Sequence, residues 1–87
     1  MDKVFSDGAW DEYLHWSTHD RKMISRIHAL IQECERTPFS GTGKPEPLKG
    51  EWQGWWSRRI DEKHRLIYRV HEGRLHIAKC MYHYSGR

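Results

Sequence analysis

A stripe of apolar residues at helical spacing is the strongest structural signal in this 87-residue chain. Such spacing puts the residues on one face of an α-helix, and that face must be buried against another layer. Asp20 can cap the helix, and Thr37-Pro38 ends it because proline disfavours a helical conformation in the residue before it. A helix is therefore predicted from Asp20 to about Arg36. The stripe consists of Met23, Ile24, Ile27, Leu30, Ile31 and Cys34.

A weaker helical pattern precedes this stripe. Residues 3–5 are predicted to form a short strand, and Ser6 or Asp7 can cap a helix that reaches about residue 15 or beyond. His15 and His19 have the i, i+4 spacing of a metal-binding pair. The Ser-Thr pair between them and the Asp20 cap predict that the helix breaks there, so we expect no metal site.

After residue 50 the pattern changes to the alternation that is typical of strands. It predicts strands over residues 52–60, 64–71 and 74–82, joined by turns at Asp61-Glu62-Lys63 and at Glu72-Gly73. The expected element order is β-α-α-β-β-β. This is an α+β fold in which two N-terminal helices pack on a twisted, mainly antiparallel sheet, with one domain over residues 1–87.

The amino-acid composition argues against a disordered, a membrane-spanning and a secreted protein. The aromatic share of 13% argues against disorder, although 31% of the residues are charged. No apolar run approaches the roughly 18 residues of a transmembrane helix, and the first ten residues lack the apolar core of a signal peptide. Cys34 and Cys80 form no zinc or disulfide motif, so we expect a reduced, cytoplasmic protein without a membrane partner. The predicted core contains Met23, Ile27, Ile31, Leu66, Tyr68 and Ile77.

Positive charge is concentrated in the second half of the chain. Residues 1–43 carry 5 basic and 7 acidic side chains, whereas residues 44–87 carry 10 basic and 5 acidic side chains. A basic half favours an anionic partner, of which nucleic acid is the default. A solvated basic face explains the charge equally well.

Residues 37–50 are predicted to form a loop because they hold all three prolines and three of the seven glycines. A loop this long in a small domain is often functional. Glu46 lies between two prolines, which restrict its backbone, and Lys44 and Lys49 flank it. A stiffly held carboxylate beside two cations suits a general base. On this evidence alone, an exposed loop carboxylate without a catalytic role is the more favoured interpretation.

Three arginines form a second candidate cluster. Arg58 and Arg59 share a predicted strand, and Arg65 lies on the next one. If the turn centres on Glu62, Arg59 and Arg65 are cross-strand partners, and like charges directly opposite each other are destabilising. Such a pair is reasonable where an anion lies between the side chains, since guanidinium geometry suits phosphate. Two arginines that extend into water are an equally good explanation.

The third candidate is Tyr82-His83-Tyr84, which places an imidazole between two aromatic rings. Histidine is the general acid or base most usable near neutral pH, and aromatic rings can stack on bases. A frayed terminus is the simpler interpretation of this motif alone.

Together the three candidates supply a carboxylate, an imidazole and several cations, a set that needs no metal or cofactor. It suits transesterification of RNA, in which a base takes the proton of a ribose 2′-OH and an acid protonates the leaving 5′-oxygen. DNA lacks the 2′-OH, so RNA is the expected substrate.

Several ordered motifs resemble the YoeB family of bacterial toxins, within the RelE-like superfamily, and together they cover nearly the whole chain. The resembling segments are WDEYLHW at residues 10–16, RTPF at 36–39, Gly41, GKPEPLK at 43–49, WSRRI at 56–60, HRLIY at 64–68 and CMYHY at 80–84. Ser85-Gly86-Arg87 extends past the point where similar proteins tend to end, and residues 50–53 match no part of the pattern.

The resemblance implies a ribosome-dependent endonuclease that cuts mRNA in the decoding A site. It implies Glu46 as the general base and His83 as the general acid. Tyr84 would orient the site or the nucleotide.

The resemblance also implies which cations bind the substrate. Lys49 and Arg65 would stabilise the scissile phosphate, and Arg59 would assist in phosphate binding. Lys44 and Arg58, which lie beside these residues in the sequence, complete the predicted phosphate-binding set.

The partners implied by the resemblance are a YefM-type antitoxin, a second copy of the chain in a homodimer, and operator DNA bound only by the toxin–antitoxin complex. The alternative function is a non-catalytic toxin on the same scaffold that inhibits a protein target such as gyrase. Such an inhibitor has no use for the combination of Glu46, Arg65 and His83. A DNA-binding regulator is disfavoured, because the second helix carries mixed charge.

Overall fold

Two helices form where the apolar patterns predict them in this computed structural model, which describes residues 1–82. Helix α1 spans Asp7–His19 and helix α2 spans Arg21–Arg36. The side chains of Ser6 and Asp20 cap them, each accepting a hydrogen bond from the backbone amide three residues later, at 3.0 and 3.1 Å. These bonds satisfy amides that the first turn of a helix leaves unpaired.

The expected break near Ser17 falls at Asp20 instead. The hydroxyls of Ser17 and Thr18 donate to the carbonyl of Leu14, at 2.8 and 3.0 Å, so they bond within α1 and do not end it. The backbone amide of Asp20 donates to the carbonyl of Trp16 while its carboxylate caps α2. A single residue therefore ends one helix and begins the next.

Five strands form one sheet, in the spatial order β1-β5-β4-β3-β2. Strand β1 runs parallel to β5, and all other neighbours are antiparallel. The α+β fold with a mainly antiparallel sheet is thus confirmed. The strands are β1 Asp2–Phe5, β2 Glu46–Pro47, β3 Trp56–Arg59, β4 Arg65–His71 and β5 Arg74–Lys79.

Strand β2 lies inside the segment that was predicted to be a loop, so the element order gains one strand. It has only two residues, and a two-residue strand leaves no alternation to read. A 3-10 turn at Gly50–Trp52 follows it, and β3 begins at Trp56 rather than at residue 52. At the other end, β5 stops at Lys79 rather than at residue 82.

Both helices pack on one face of the sheet and bury one apolar cluster. The Trp16 indole N–H donates to the carbonyl of Cys80 at 2.9 Å, which ties α1 to the chain after β5. Within residues 1–82, neither helix combines the length and the apolar character needed to cross a bilayer. The predicted core residues are all buried, at most 5% exposed: Met23, Ile27, Ile31, Leu66, Tyr68 and Ile77.

Candidate active site

The sheet face away from the helices, hereafter the helix-free face, carries most of the predicted site. On β4, Leu66 and Tyr68 are buried in the helix-packed core, so the alternating side chains Arg65, Ile67 and Arg69 lie on the other face. Paired residues on adjacent strands share a face. The helix-free face therefore includes Glu46, Ser57, Arg59, Arg65, Ile67, Arg69, Arg74 and His76.

This face is strongly basic. Four of the five arginines on β3, β4 and β5 lie on it, and Arg58 is the exception. The acidic strand residues on this face are Asp2 on β1 and Glu46 on β2, at the two edges of the sheet. Guanidinium groups thus occupy the centre of the face, with one carboxylate at each edge.

Glu46 lies in the edge strand β2, which pairs with β3, rather than in a free loop. It pairs with Ser57 on β3, and its side chain is exposed. Backbone hydrogen bonds continue on both sides of β2, from Arg59 N–H to the Gly43 carbonyl at 2.7 Å and from Leu48 N–H to the Trp55 carbonyl at 2.9 Å. These bonds fix the backbone that carries the carboxylate.

Arg65 lies directly opposite Arg59, as the turn length predicts. Its Nη1 donates to the carbonyls of Asp61, Glu62 and His64, at 2.9, 3.1 and 3.1 Å. The turn therefore holds one edge of the Arg65 guanidinium in place. Within residues 1–82, Arg59 makes no side-chain hydrogen bond and is exposed.

Lys44 and Lys49 lie on either side of β2, and both are exposed. Lys44 has a positive φ of 52°, and Lys49 precedes the 3-10 turn. Neither ammonium group forms an ion pair with a residue in the described range 1–82. They add two positive charges beside the edge strand that carries Glu46.

The prediction that Arg58 binds substrate phosphate is contradicted by the position of its side chain. Its side chain is 0% exposed and points to the helix side, where Nη1 lies 2.9 Å from the Glu33 carboxylate. Nε donates to the Tyr68 hydroxyl at 3.1 Å. Neighbouring side chains on a strand point to opposite faces, so Arg58 and Arg59 have different surroundings.

The buried guanidinium of Arg58 organises the loop that leads to Glu46. It donates to the backbone carbonyls of Thr37, Ser40 and Thr42, the last two at 2.8 and 3.0 Å. Burial alone would lower the pKa of Arg58, but its hydrogen bond to Tyr68 and its other polar contacts raise it above its ordinary value. The group therefore stays charged within the loop.

The partly exposed Glu33 and the buried Tyr68 complete the network around Arg58. Thr42 N–H donates to Glu33 at 2.6 Å, and the Tyr68 hydroxyl donates to the Pro38 carbonyl at 2.6 Å. Hydrogen bonds from Thr42 and then from Arg58 lower the pKa of Glu33, whereas burial raises the pKa of Tyr68 to about 12. The role of Glu33 could not be predicted from the sequence, since a lone acid on the polar side of an amphipathic helix carries no local signal of such a role.

Gly41 shows how tightly the network is built. Its φ of +112° lies in the region that favours glycine, and a Cβ at this position would collide with the Glu33 carboxylate. The loop can close over Arg58 and Glu33 only with glycine here.

His83, Tyr84 and the Ser85-Gly86-Arg87 tail lie outside the described residues. The last described residue, Tyr82, lies beside β4: its N–H donates to His64 Nδ1 at 2.8 Å, and its carbonyl accepts from Arg65 N–H at 3.0 Å. The described chain therefore ends next to one of the predicted phosphate-binding residues.

The remaining reactive side chains give no further cluster. No group of three or more His, Cys, Asp or Glu side chains arranged to hold a metal occurs in the described part of the chain. His15 and His19 stack with ring centroids 4.4 Å apart. Burial raises the pKa of the Cys34 and Cys80 thiols to about 11 and about 12, so both are poor nucleophiles.

Residues 5–84 match the YoeB-like toxins of bacterial type II toxin–antitoxin systems. Toxin YoeB of Escherichia coli K12 is 50% identical over 84 residues, which span 97% of this chain and 100% of that protein. The solved YoeB/ParE toxin from Agrobacterium tumefaciens superposes with a TM-score of 0.94 at 46% identity, covering 97% and 100% of the two chains.

Staphylococcus aureus YoeB has been solved both in a heterotetrameric complex with YefM and as a dimer. Each of these structures superposes with a TM-score of 0.90 at 39% identity, covering 97% of this chain and 98% of the other. The motifs, the fold and these similarities all indicate the same family. This chain belongs to the YoeB-like toxin family.

Proposed function

We propose that this chain is a ribosome-dependent endoribonuclease that cuts mRNA in the decoding A site, with Glu46 as its general base. The observation that carries the proposal is the placement of Glu46 on the same sheet face as the opposed pair Arg59 and Arg65. A carboxylate beside two guanidinium groups combines a proton acceptor with a binding site for the anion on which it would act.

The proposed reaction is an internal transesterification. The Glu46 carboxylate takes the proton of the ribose 2′-OH, and the 2′-oxygen attacks the adjacent phosphorus. The bond from phosphorus to the 5′-oxygen breaks, His83 donates its proton to that oxygen, and a cyclic 2′,3′-phosphate remains. Acid–base assistance of this kind contributes roughly 10²–10⁴-fold for each group. The 2′-OH requirement selects RNA over DNA.

Cations would stabilise the charge that develops on the phosphoryl oxygens. Arg65 is suited to this role because three carbonyls in its own turn hold Nη1, which fixes the guanidinium before substrate arrives. Lys49 would act with it on the scissile phosphate, and Arg59 and Lys44 would strengthen phosphate binding. The reaction needs no metal or cofactor, because the carboxylate and imidazole move the protons and the cations balance the charge.

The roles of His83 and Tyr84 are proposed from the resemblance of their sequence motif to the family. His83 follows Tyr82, whose carbonyl accepts a hydrogen bond from Arg65 N–H, and this neighbourhood supports its role as the general acid. Tyr84 would stack on or orient the nucleotide at the reaction centre.

The proposal extends to partners. A YefM-type antitoxin would bind this toxin, the complex would bind and repress its own operator, and the free toxin would form a homodimer. The solved complex and dimer of the Staphylococcus aureus relative support the two protein partners. The side chains of Trp10 and Leu14 on α1, exposed by 46% and 43%, offer apolar area that a protein partner would cover.

Cleavage of ribosome-bound and naked mRNA by the wild-type protein tests the function. The ribosome would present the mRNA backbone bent, with the 2′-oxygen in line with the leaving oxygen, and this alignment can lower the barrier greatly. We therefore expect cuts in the A site of programmed ribosomes and slow cleavage of naked mRNA at physiological salt. Equal rates on the two substrates would contradict ribosome dependence, and intact mRNA on the ribosome would instead indicate a non-catalytic toxin.

A further inference from the structure

We propose that Arg69 and Trp55 form a second phosphate-binding subsite, which holds a nucleotide next to the one that is cleaved. This inference rests on the proposed function for the identity of the ligand, a single RNA strand. It adds two residues that none of the sequence motifs singled out.

Arg69 belongs to the same surface as the candidate active site. It lies four residues after Arg65 on β4, so both side chains are on the helix-free face, with α-carbons about 13 Å apart along the strand. Ile67 lies between them and is 0% exposed, which makes it an apolar floor of the face. A strand of RNA that contacts Arg65 can therefore continue along β4 toward Arg69.

The Arg69 guanidinium is positioned by an aromatic ring instead of by a carboxylate. Its Cζ lies 4.6 Å from the centroid of the Trp55 ring, which is a cation–π contact. Trp55 is itself fixed, because Trp52 packs edge-on against it at 5.8 Å and the backbone of Leu48 bonds to its carbonyl. The ring thus holds the guanidinium group without neutralising its charge.

No ion pair with a residue within 1–82 neutralises the charge of Arg69, whereas several other cations of the chain have such a partner. Arg58 pairs with Glu33, Lys3 with Glu35 and Lys79 with Glu12.

Arg69, by contrast, donates no hydrogen bond to any residue within 1–82, and its Nε is buried without an acceptor there. Its cross-strand partner is His76, and Ile67 and His71 are its neighbours on the same face of β4. None of these is acidic, so the site is complementary to an external anion.

A single-stranded nucleic acid fits this arrangement better than an isolated anion. Proteins bind single strands with cations that follow the backbone and with aromatic side chains close to them. The guanidinium of Arg69 is held over Trp55, away from Arg65, and would therefore contact a phosphate other than the scissile one. The subsite lengthens the contact with RNA without taking part in the chemical step.

Binding of short RNAs to a Glu46→Gln protein tests the subsite without the ribosome and without cleavage. The probes are a dinucleotide and a hexanucleotide, titrated at several salt concentrations. We expect Arg69→Gln to weaken hexanucleotide binding several-fold and to reduce the salt slope by about 0.7, the value for one phosphate contact on a single strand. Dinucleotide binding should change little. Trp55→Leu should act like Arg69→Gln, whereas Trp55→Phe should largely retain binding.

Arg21→Gln is the matched control, because it removes the same charge from an exposed position at the start of α2. Equal affinities and salt slopes for Arg69→Gln and Arg21→Gln would overturn the subsite. So would equal losses on the two RNAs, or hexanucleotide binding no tighter than dinucleotide binding. These readouts are independent of cleavage, so failure of the proposed nuclease function would appear separately, as uncut mRNA on the ribosome.

Discussion

Arg59 and Arg65 lie directly opposite each other on β3 and β4, so that both side chains extend from the same face of the sheet. Like charges in this position disfavour strand pairing by up to about 1 kcal/mol. Arg65 bonds to its own turn, but no residue within 1–82 accepts a hydrogen bond from the Arg59 side chain. An anion bound between the two side chains would offset this repulsion, in keeping with the proposed phosphate binding.

Replacing Arg59 by Gln should therefore lower activity without lowering stability. Removing one of two opposed charges is expected to leave the free energy of unfolding unchanged or to raise it by up to about 1 kcal/mol. Cleavage of ribosome-bound mRNA should fall, because a phosphate contact is lost. Urea unfolding and a cleavage assay on the same preparation measure both effects. A clear loss of stability would show that Arg59 has a structural contact instead.

The adjacent Arg58 should behave in the opposite way. Arg58→Gln leaves the Glu33 carboxylate without its ion pair and three loop carbonyls without their donor. Leaving buried hydrogen-bonding groups without their partner typically costs about 1–3 kcal/mol, and we expect Arg58→Gln to lower the free energy of unfolding by about that amount. Urea unfolding measures the loss, with Arg59→Gln as the neighbouring control. Similar stabilities for the two variants would contradict the assignment of Arg58 to the buried network.

Ile27 tests the packing of α2 on the sheet. It is 0% exposed, and truncation of such a side chain to Ala is expected to cost about 2–5 kcal/mol through lost burial and a residual cavity. Val4→Ala is the control, because Val4 is 38% exposed and should change stability by about 0.5 kcal/mol or less. An Ile27→Ala loss below about 1 kcal/mol would mean that the stripe is not tightly packed.

Glu33 should make stability depend on acid pH. Its pKa in the folded protein lies below the ordinary value of 4.5, because of hydrogen bonds from Thr42 and then from Arg58. Such a group contributes stability above the ordinary pKa and loses it as pH falls through the folded pKa. The difference in unfolding free energy between wild type and Glu33→Gln should therefore be largest near neutral pH and shrink as the pH is lowered below 4.5. A difference that stays constant with pH would contradict this coupling.

Much of the fold follows from local patterns. The α2 stripe has one periodicity over sixteen residues and a cap at its start, so both its position and its buried face could be predicted. The turn between β3 and β4 is short enough to fix the pairing of Arg59 with Arg65. Glu72 and Gly73 both have positive φ, at 52° and 72°, as the predicted two-residue hairpin turn requires.

The features that were missed depend on contacts between distant parts of the chain. Strand β2 is too short to show alternation, and it exists because its backbone pairs with β3. The role of Arg58 depends on Glu33, which is 25 residues away in sequence. The alternation of side chains along a strand predicts that Arg58 and Arg59 lie on opposite faces of the sheet. Only the folded loop shows which groups surround the buried Arg58 side chain.

Single-turnover cleavage of mRNA on programmed ribosomes by Glu46→Gln decides whether Glu46 is the general base. Glutamine keeps the shape of the side chain but cannot accept the 2′-OH proton, so we expect cleavage to fall by roughly 10²–10⁴-fold while ribosome binding stays nearly unchanged. Glu51→Gln is the matched control, because Glu51 is also an exposed acid and lies in the 3-10 turn that follows β2. It should cleave like the wild-type protein. Near wild-type cleavage by Glu46→Gln would contradict the assignment of the general base and the mechanism built on it.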